Sequence, residues 1–200
     1  MSNPLRIKRI DPDQLNVILI ITTIIMVLCS VILPFVFIVI LQDVFFFSRD
    51  NWILVAPTSA YYTFGGGMLW ASLVMIIYVI VHTISERKNK HIKHSWLFIP
   101  IGLLFIPICT LGIMNYYYVD DEGFHINELT SYTEDEYPWE SIAQVQPVGE
   151  ENGHYYTHYI FITDNGNFTI GFDDKFAQQR GKILRTLEEH GTEILQRIEE

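Results

Sequence analysis

Three groups of side chains in this chain are of the types that metal binding or acid–base chemistry requires. His91 and His94 are spaced so that one helical face could present two imidazoles to a metal ion. Arg87, Lys88, Lys90 and Lys93 share that segment and oppose a cation, so a solvated, headgroup-facing loop is the better reading. His154 and His158 share one face of an extended strand, but four residues at about 3.3 Å each hold them roughly 13 Å apart. One ion cannot bridge that gap, and both read as surface polar positions. Glu134, Asp135 and Glu136, with Glu140 close behind, form the densest carboxylate run. Paired carboxylates do acid–base work when burial raises one pKa. Adjacent acids in a turn-rich stretch are ordinarily solvated, and Glu150 and Glu151 read the same way.

Nucleophile and phosphate chemistry have less to build on. There is no G-x-S-x-G, and Cys29 and Cys109 both lie inside apolar runs, where a thiol acts as a small hydrophobe. Gly65, Gly66 and Gly67 are not followed by the Lys and Ser/Thr of a phosphate-cradling loop. That triplet reads as a flexible entry to a helix or a close helix contact. No catalytic residue, cofactor site or metal site emerges, and a non-enzymatic role is preferred. Recognition falls to tyrosines, with Tyr132, Tyr137, Tyr155, Tyr156 and Tyr159 as the candidate contact surface, although some must be core.

The elements that position these groups divide sharply. Residues 1–118 carry eight basic and five acidic side chains, and residues 119–200 carry five basic and eighteen acidic. The net charge of −10 therefore describes neither part. The acidic part would repel nucleic acid, which excludes a DNA or RNA partner. Three apolar runs, 15–42, 59–83 and 96–117, are free of Asp, Glu, Lys and Arg. Each is long enough to cross a hydrocarbon core of about 30 Å. Pro34 should bend the first, and Pro100 and Pro107 the third. The lack of a charged group within the spans disfavours an ion-coupled carrier. Trp52, Tyr61, Tyr62, Trp96 and Tyr116 to Tyr118 gather at the expected headgroup level.

Arg6, Lys8 and Arg9 precede the first span, and the basic segment 87–93 joins the second to the third. Between the first two spans there is only Arg49, with Asp43 and Asp50. The positive segments should stay cytoplasmic. Three crossings of the cell membrane then leave the N-terminus inside and the C-terminal domain, 119–200, outside.

That domain changes to strand periodicity. Tyr116 to Asp120, the turn Asp121-Glu122-Gly123, and then Phe124 and Ile126 alternating with His125 and Asn127 predict a hairpin. A strand through Val148 should follow Tyr137-Pro138-Trp139-Glu140-Ser141-Ile142. A second hairpin spans 155–172 around Asp164-Asn165-Gly166-Asn167. Asp173 and Asp174 can cap a final helix whose apolar stripe runs from Phe176 through Ile183, Leu184, Leu187, Ile194 and Leu195 to Ile198. Gly191 lies on that stripe. Trp139, Phe161, Phe168 and Phe172 should form the core with the helix.

A strand leaving a membrane span into Tyr118-Val119-Asp120-Asp121-Glu122-Gly123-Phe124, then Tyr137-Pro138-Trp139-Glu140-Ser141-Ile142, the Asp164-Asn165-Gly166 hairpin and a terminal amphipathic helix resembles bacterial multi-pass membrane proteins with a C-terminal pleckstrin-homology-like domain. The resemblance covers about 116–200. It implies a membrane α-helical region plus a small α+β domain, a bent antiparallel sheet or barrel closed by the C-terminal helix. Eukaryotic namesakes bind phosphoinositides through lysines and arginines near the first hairpin. Here that hairpin holds Asp120, Asp121, Glu122 and Glu128 with no basic residue, so phosphoinositide binding does not carry over. Many relatives keep this domain in the cytoplasm, against the topology above. The expected partners are the lipid bilayer and a protein, including a second copy of the chain. The preferred function is an interaction or regulatory module; the alternatives are an accessory subunit of a transport system and a membrane-bound enzyme.

Overall fold

The computed structural model describes residues 12–88, 95–150, 155–164 and 166–199. The chain forms two compact units: Met1–Leu41 with Thr58–Ile113, and Gln42–Pro57 with Met114–Glu200.

The first unit is helical. Helix α1 is Pro12–Phe46 and α2 is Thr58–Arg87. A 3-10 turn, Ser95–Leu97, leads into α3, Phe98–Leu103, and α4 is Phe105–Met114. Three stretches are long and apolar enough to cross a membrane: Asn16–Phe46, Thr58–Ser85 and Ser95–Met114. Their exposed Val, Ile, Leu and Phe side chains suit hydrocarbon. The third ends at Met114, not at residue 117, because Tyr116 begins a strand. It is also broken at Leu104. Pro107 lacks the N–H that would reach the Leu103 carbonyl, and its ring crowds that oxygen. Pro100 falls in the first turn of α3, where no such bond is lost. Hydroxyls inside the helices donate back along them, Thr23 to the Leu19 carbonyl, Ser72 to Met68 and Thr83 to Val79.

The glycine triplet makes close helix contacts. Pro34 continues α1 but leaves the Ser30 carbonyl without its helical donor. A Cβ on Gly65 would lie 2.9 Å from that oxygen, so only glycine lets α2 approach there. Gly67 faces Cys109 and the Phe105 carbonyl, while Gly66 faces open space. Small residues at such crossings let backbones pack where no hydrophobic force draws helices together.

The second unit is β-rich. Its strands are β1 (Ile53–Val55), β2 (Tyr116–Val119), β3 (Gly123–Asn127), β4 (Asp135–Pro138), β5 (Ile142–Gly149), β6 (Tyr156–Thr163) and β7 (Gly166–Gly171). Helix α5, Asp174–Glu189, and two short strands, β8 (Glu193–Ile194) and β9 (Ile198–Glu199), complete it. One antiparallel sheet has the order β1-β2-β3-β4; the other runs β7-β6-β5-β8, with β9 also on β5. The segment between the first two spans thus contributes an edge strand, pairing Ile53 with Val119 and Val55 with Tyr117. Trp52, just before β1, stacks on Trp139 at 5.3 Å.

Both sheets and α5 share one core. Val119, Phe124, Trp139, Val145, Tyr159, Phe161, Phe176, Ile183 and Leu187 are all buried in it, and Phe172 packs at its margin. Among the described residues the sheets do not close into a barrel. Nor is the second sheet purely antiparallel, since β8 and β9 run parallel to β5. The reason is an early helix stop. Asp173 accepts from the Phe176 N–H at 2.7 Å and starts α5 as expected. Gly191 then takes φ +88°, and the N–H groups of Gly191 and Thr192 close on the Glu188 and Leu187 carbonyls. This Schellman turn ends the helix, so Ile194, Leu195 and Ile198 leave the helical stripe for extended chain along β5.

Candidate functional site

The strand register sorts β2, β3 and β4 into two faces. Tyr117, Val119, Phe124, Ile126 and Tyr137 point to the core. The opposite face carries Tyr116 across from Asn127, and Tyr118, His125 and Glu136 in one row. Two acidic side chains from outside the strands reach this row. Glu134, just before β4, accepts hydrogen bonds from the Tyr116 and Tyr118 hydroxyls, both at 2.9 Å. Its Oε1 also lies 3.2 Å from His125 Nδ1. On the other side of the imidazole, Nε2 is 3.3 Å from Asp120 Oδ1. Asp120 is itself held by the backbone N–H groups of Glu122 and Gly123, at 2.8 and 3.2 Å. The Tyr118 ring lies flat on His125, centroids 4.4 Å apart and planes 4° apart. Tyr116 is stacked from beyond by Phe46 at 4.1 Å.

The result is a buried histidine between two carboxylates, with phenols aimed at one of them. His125 has only 8% of its side chain exposed. No lysine or arginine occurs between Lys93 and Lys175, so β2, β3 and β4 contain no cationic side chain of their own. The environment presses the phenols toward their neutral form. Burial, reinforced by Glu134, pushes Tyr116 up to about 12 and moves Tyr118 further in the same direction. Tyr117, on the core face, is raised by burial and by Asp173, to which its hydroxyl donates at 3.3 Å.

A raised folded-state value means that folding favours the neutral phenol. Its stabilising effect is complete below the ordinary value near 10 and is lost as pH climbs through the folded value. Alkaline titration of the full chain should therefore show Tyr117 ionising only as the fold is lost. The check is the 295 nm absorbance difference from Tyr117→Phe, followed beside near-UV circular dichroism. A Tyr117 signal appearing near pH 10 with the dichroism intact would contradict the burial.

The candidate contact tyrosines do not form one surface. Tyr132 and Tyr155 are exposed. Tyr137 packs against Phe168 at 4.3 Å, on the core side of β4. Tyr156 is half-buried, with the Arg180 guanidinium 4.7 Å above its ring. Tyr159 is wholly buried and accepts a hydrogen bond from Arg180 Nε, which places it in the core and not on a contact surface. Alternation alone does not separate Tyr155 from Tyr159, which share parity; Tyr155 precedes β6, whose register with β5 shifts between Val148 and Gly149 at that end.

Of the chemistry-bearing groups, His91, His94, His154 and Glu151 lie outside the described residues. His158 Nδ1 is 3.0 Å from the Thr157 hydroxyl. Glu140 is exposed, 3.5 Å from His190 Nε2. The carboxylate run is not uniformly solvated: Asp135 and Glu136 are exposed, but Glu134 is drawn in by Tyr116, Tyr118 and His125. His125 carried no local signal beyond its place in an alternating strand. The β2–β3 hairpin brings it to Asp120, and the β3–β4 register, which sets it opposite Glu136, brings it to the acids of β4 and the residue before it. No protein-family model, curated protein or solved structure matches the chain.

Proposed function

We propose that the chain is a three-span integral membrane protein whose β-rich unit, with a pleckstrin-homology-like fold, is an interaction or regulatory module rather than a catalyst, and lies outside the cell. The observation that carries this reading is the pairing of β1 with β2. These strands are separated in sequence by the second and third apolar stretches, yet hydrogen-bonded strands must occupy one aqueous compartment. An even number of crossings between them meets that requirement; a third segment that only dipped into the bilayer would not. The charge asymmetry supports the outer side, because residues 42–57 hold Asp43 and Asp50 against Arg49 alone. Two sheets on one core with α5 against them support the fold assignment. The exposed Tyr132 and Tyr155 supply amphipathic rings suited to a protein partner.

Single cysteines at Ser48, Lys88 and Tyr132, in a chain lacking Cys29 and Cys109, test the arrangement. A membrane-impermeant maleimide should label positions 48 and 132 in intact cells and leave 88 unlabelled until the cells are opened. Shielding of position 132 with labelling of 48 would overturn it. Photo-crosslinkers at Tyr132 and Tyr155 should yield a discrete adduct with a membrane or envelope protein. Their complete failure in intact cells would argue against an interaction module. A second reading, an accessory subunit of a transport system, draws on the break in the third span at Leu104. Unaltered solute fluxes after loss of the protein would remove it.

A further inference from the structure

We propose that His125, Glu134 and Glu136 form a binding site for one first-row divalent metal ion, with zinc as the best fit, on the polar face of the first sheet. One ligand atom from each residue lies within 4.8 Å of the others. The backbone explains the convergence. Glu134 and Glu136 are two residues apart on one face at β4, and the register places Glu136 directly across from His125.

The ring orientation is the independent support. A metal-ligating imidazole commonly donates its other N–H to a carboxylate, which fixes the tautomer and leaves the ligating lone pair free. Here Nε2 faces Asp120, and Asp120 is pinned by two backbone N–H groups. With that proton on Nε2, Nδ1 turns its lone pair toward Glu134 Oε1, a second lone-pair donor, at 3.2 Å. Two acceptors at that distance call for a shared proton or a cation between them, and Glu136 alongside supplies a third donor for a cation. The spacing suits one. Ligands bound at about 2.0–2.1 Å around a tetrahedral ion stand roughly 3.3–3.4 Å from each other. Glu136 is exposed and free to swing the remaining distance. Glu134 is oriented by Tyr116 and Tyr118, and its carboxylate keeps lone pairs to spare after accepting both hydroxyls.

The donor set selects the ion. An imidazole nitrogen with two carboxylates suits zinc and its first-row neighbours, whereas calcium and magnesium demand more oxygens than this row provides. Three protein ligands leave a fourth position open to water or to a partner's side chain.

Calorimetric titration of the full-length, chelator-treated protein in detergent with Zn²⁺ should show one site per chain. Co²⁺ in its place should give the visible ligand-field band of a four-coordinate ion. His125→Ala and Glu134→Gln should abolish both signals. Glu136→Gln, which changes an exposed side chain and leaves the fold intact, should weaken binding at least tenfold. Asp120→Asn, a positioning change, should lower the affinity about 10–100-fold without removing the Co²⁺ band. Zn²⁺ binding unaffected by Glu136→Gln, equal affinity for Ca²⁺, or no binding by a folded wild-type protein would each overturn the assignment. In the last case His125 remains a hydrogen-bonding bridge between Asp120 and Glu134.

Discussion

Trp139→Ala should cost the β-rich unit about 3–5 kcal/mol, the range for emptying a large aromatic position in a core. The indole is 1% exposed and sits where the two sheets share their core. It stacks on Trp52 at 5.3 Å and meets the Phe124 edge at 5.2 Å. Its Nε1–H donates to the Asp121 carbonyl at 3.1 Å, so truncation also leaves that oxygen without its partner. A unit of this size has a total stability of about 5–15 kcal/mol, so the loss takes a large share of it. Denaturant unfolding of the full chain in detergent, read by near-UV circular dichroism, checks the value. Trp96→Ala is the control, because that ring is 63% exposed. A loss at Trp139 no larger than at Trp96 would mean that the indole is not in the core.

In the helical unit, leucine at Gly112 should be the most damaging change and leucine at Gly66 the mildest. A Cβ on Gly112 would stand 2.8 Å from the Ala60 carbonyl oxygen and 3.0 Å from the Phe64 nitrogen. Both are backbone atoms and cannot step aside, so α2 and α4 would have to separate. Gly65 is next, blocked by the Ser30 carbonyl. Gly67 follows, since its first obstacle is the movable Cys109 side chain. Overfilling a packed contact costs about 1–3 kcal/mol, and for Gly112 the upper end is expected. A Cβ on Gly66 meets nothing within 4 Å, so Gly66→Leu should change stability little. Detergent-denaturation midpoints of the four variants give the order directly. A Gly66 variant as damaged as the Gly112 variant would refute the packing.

The same glycines show how far local sequence reaches. Gly65, Gly66 and Gly67 announced a special place in the second span, but not which of them touches a neighbour. That depends on the rotation of α2 against α1 and α4. Pro107 did announce a break in its own helix, because the lost hydrogen bond and the ring clash are local. Gly191 is a further case. A glycine in that position is a helix-stop signal, yet the apolar residues at 194, 195 and 198 continue the helical spacing by coincidence. The Schellman turn, held by the Leu187 and Glu188 carbonyls, decided the matter.

What the amino-acid order determined by itself is whatever rests on neighbours in the chain: three apolar stretches of membrane length, the two hairpins β2–β3 and β6–β7, and the Asp173 cap that begins α5. Periodicity, turn chemistry and capping act within a few residues and are written openly. Only the tertiary structure decided that β1 crosses two apolar stretches of sequence to pair with β2, and that β8 and β9 run parallel along β5. It also decided that His125 lies among Asp120, Glu134 and Glu136. Those outcomes depend on register and on which strand finds which edge. A shift of one residue in β4 would turn Glu136 to the other face and dissolve the cluster without changing the composition at all.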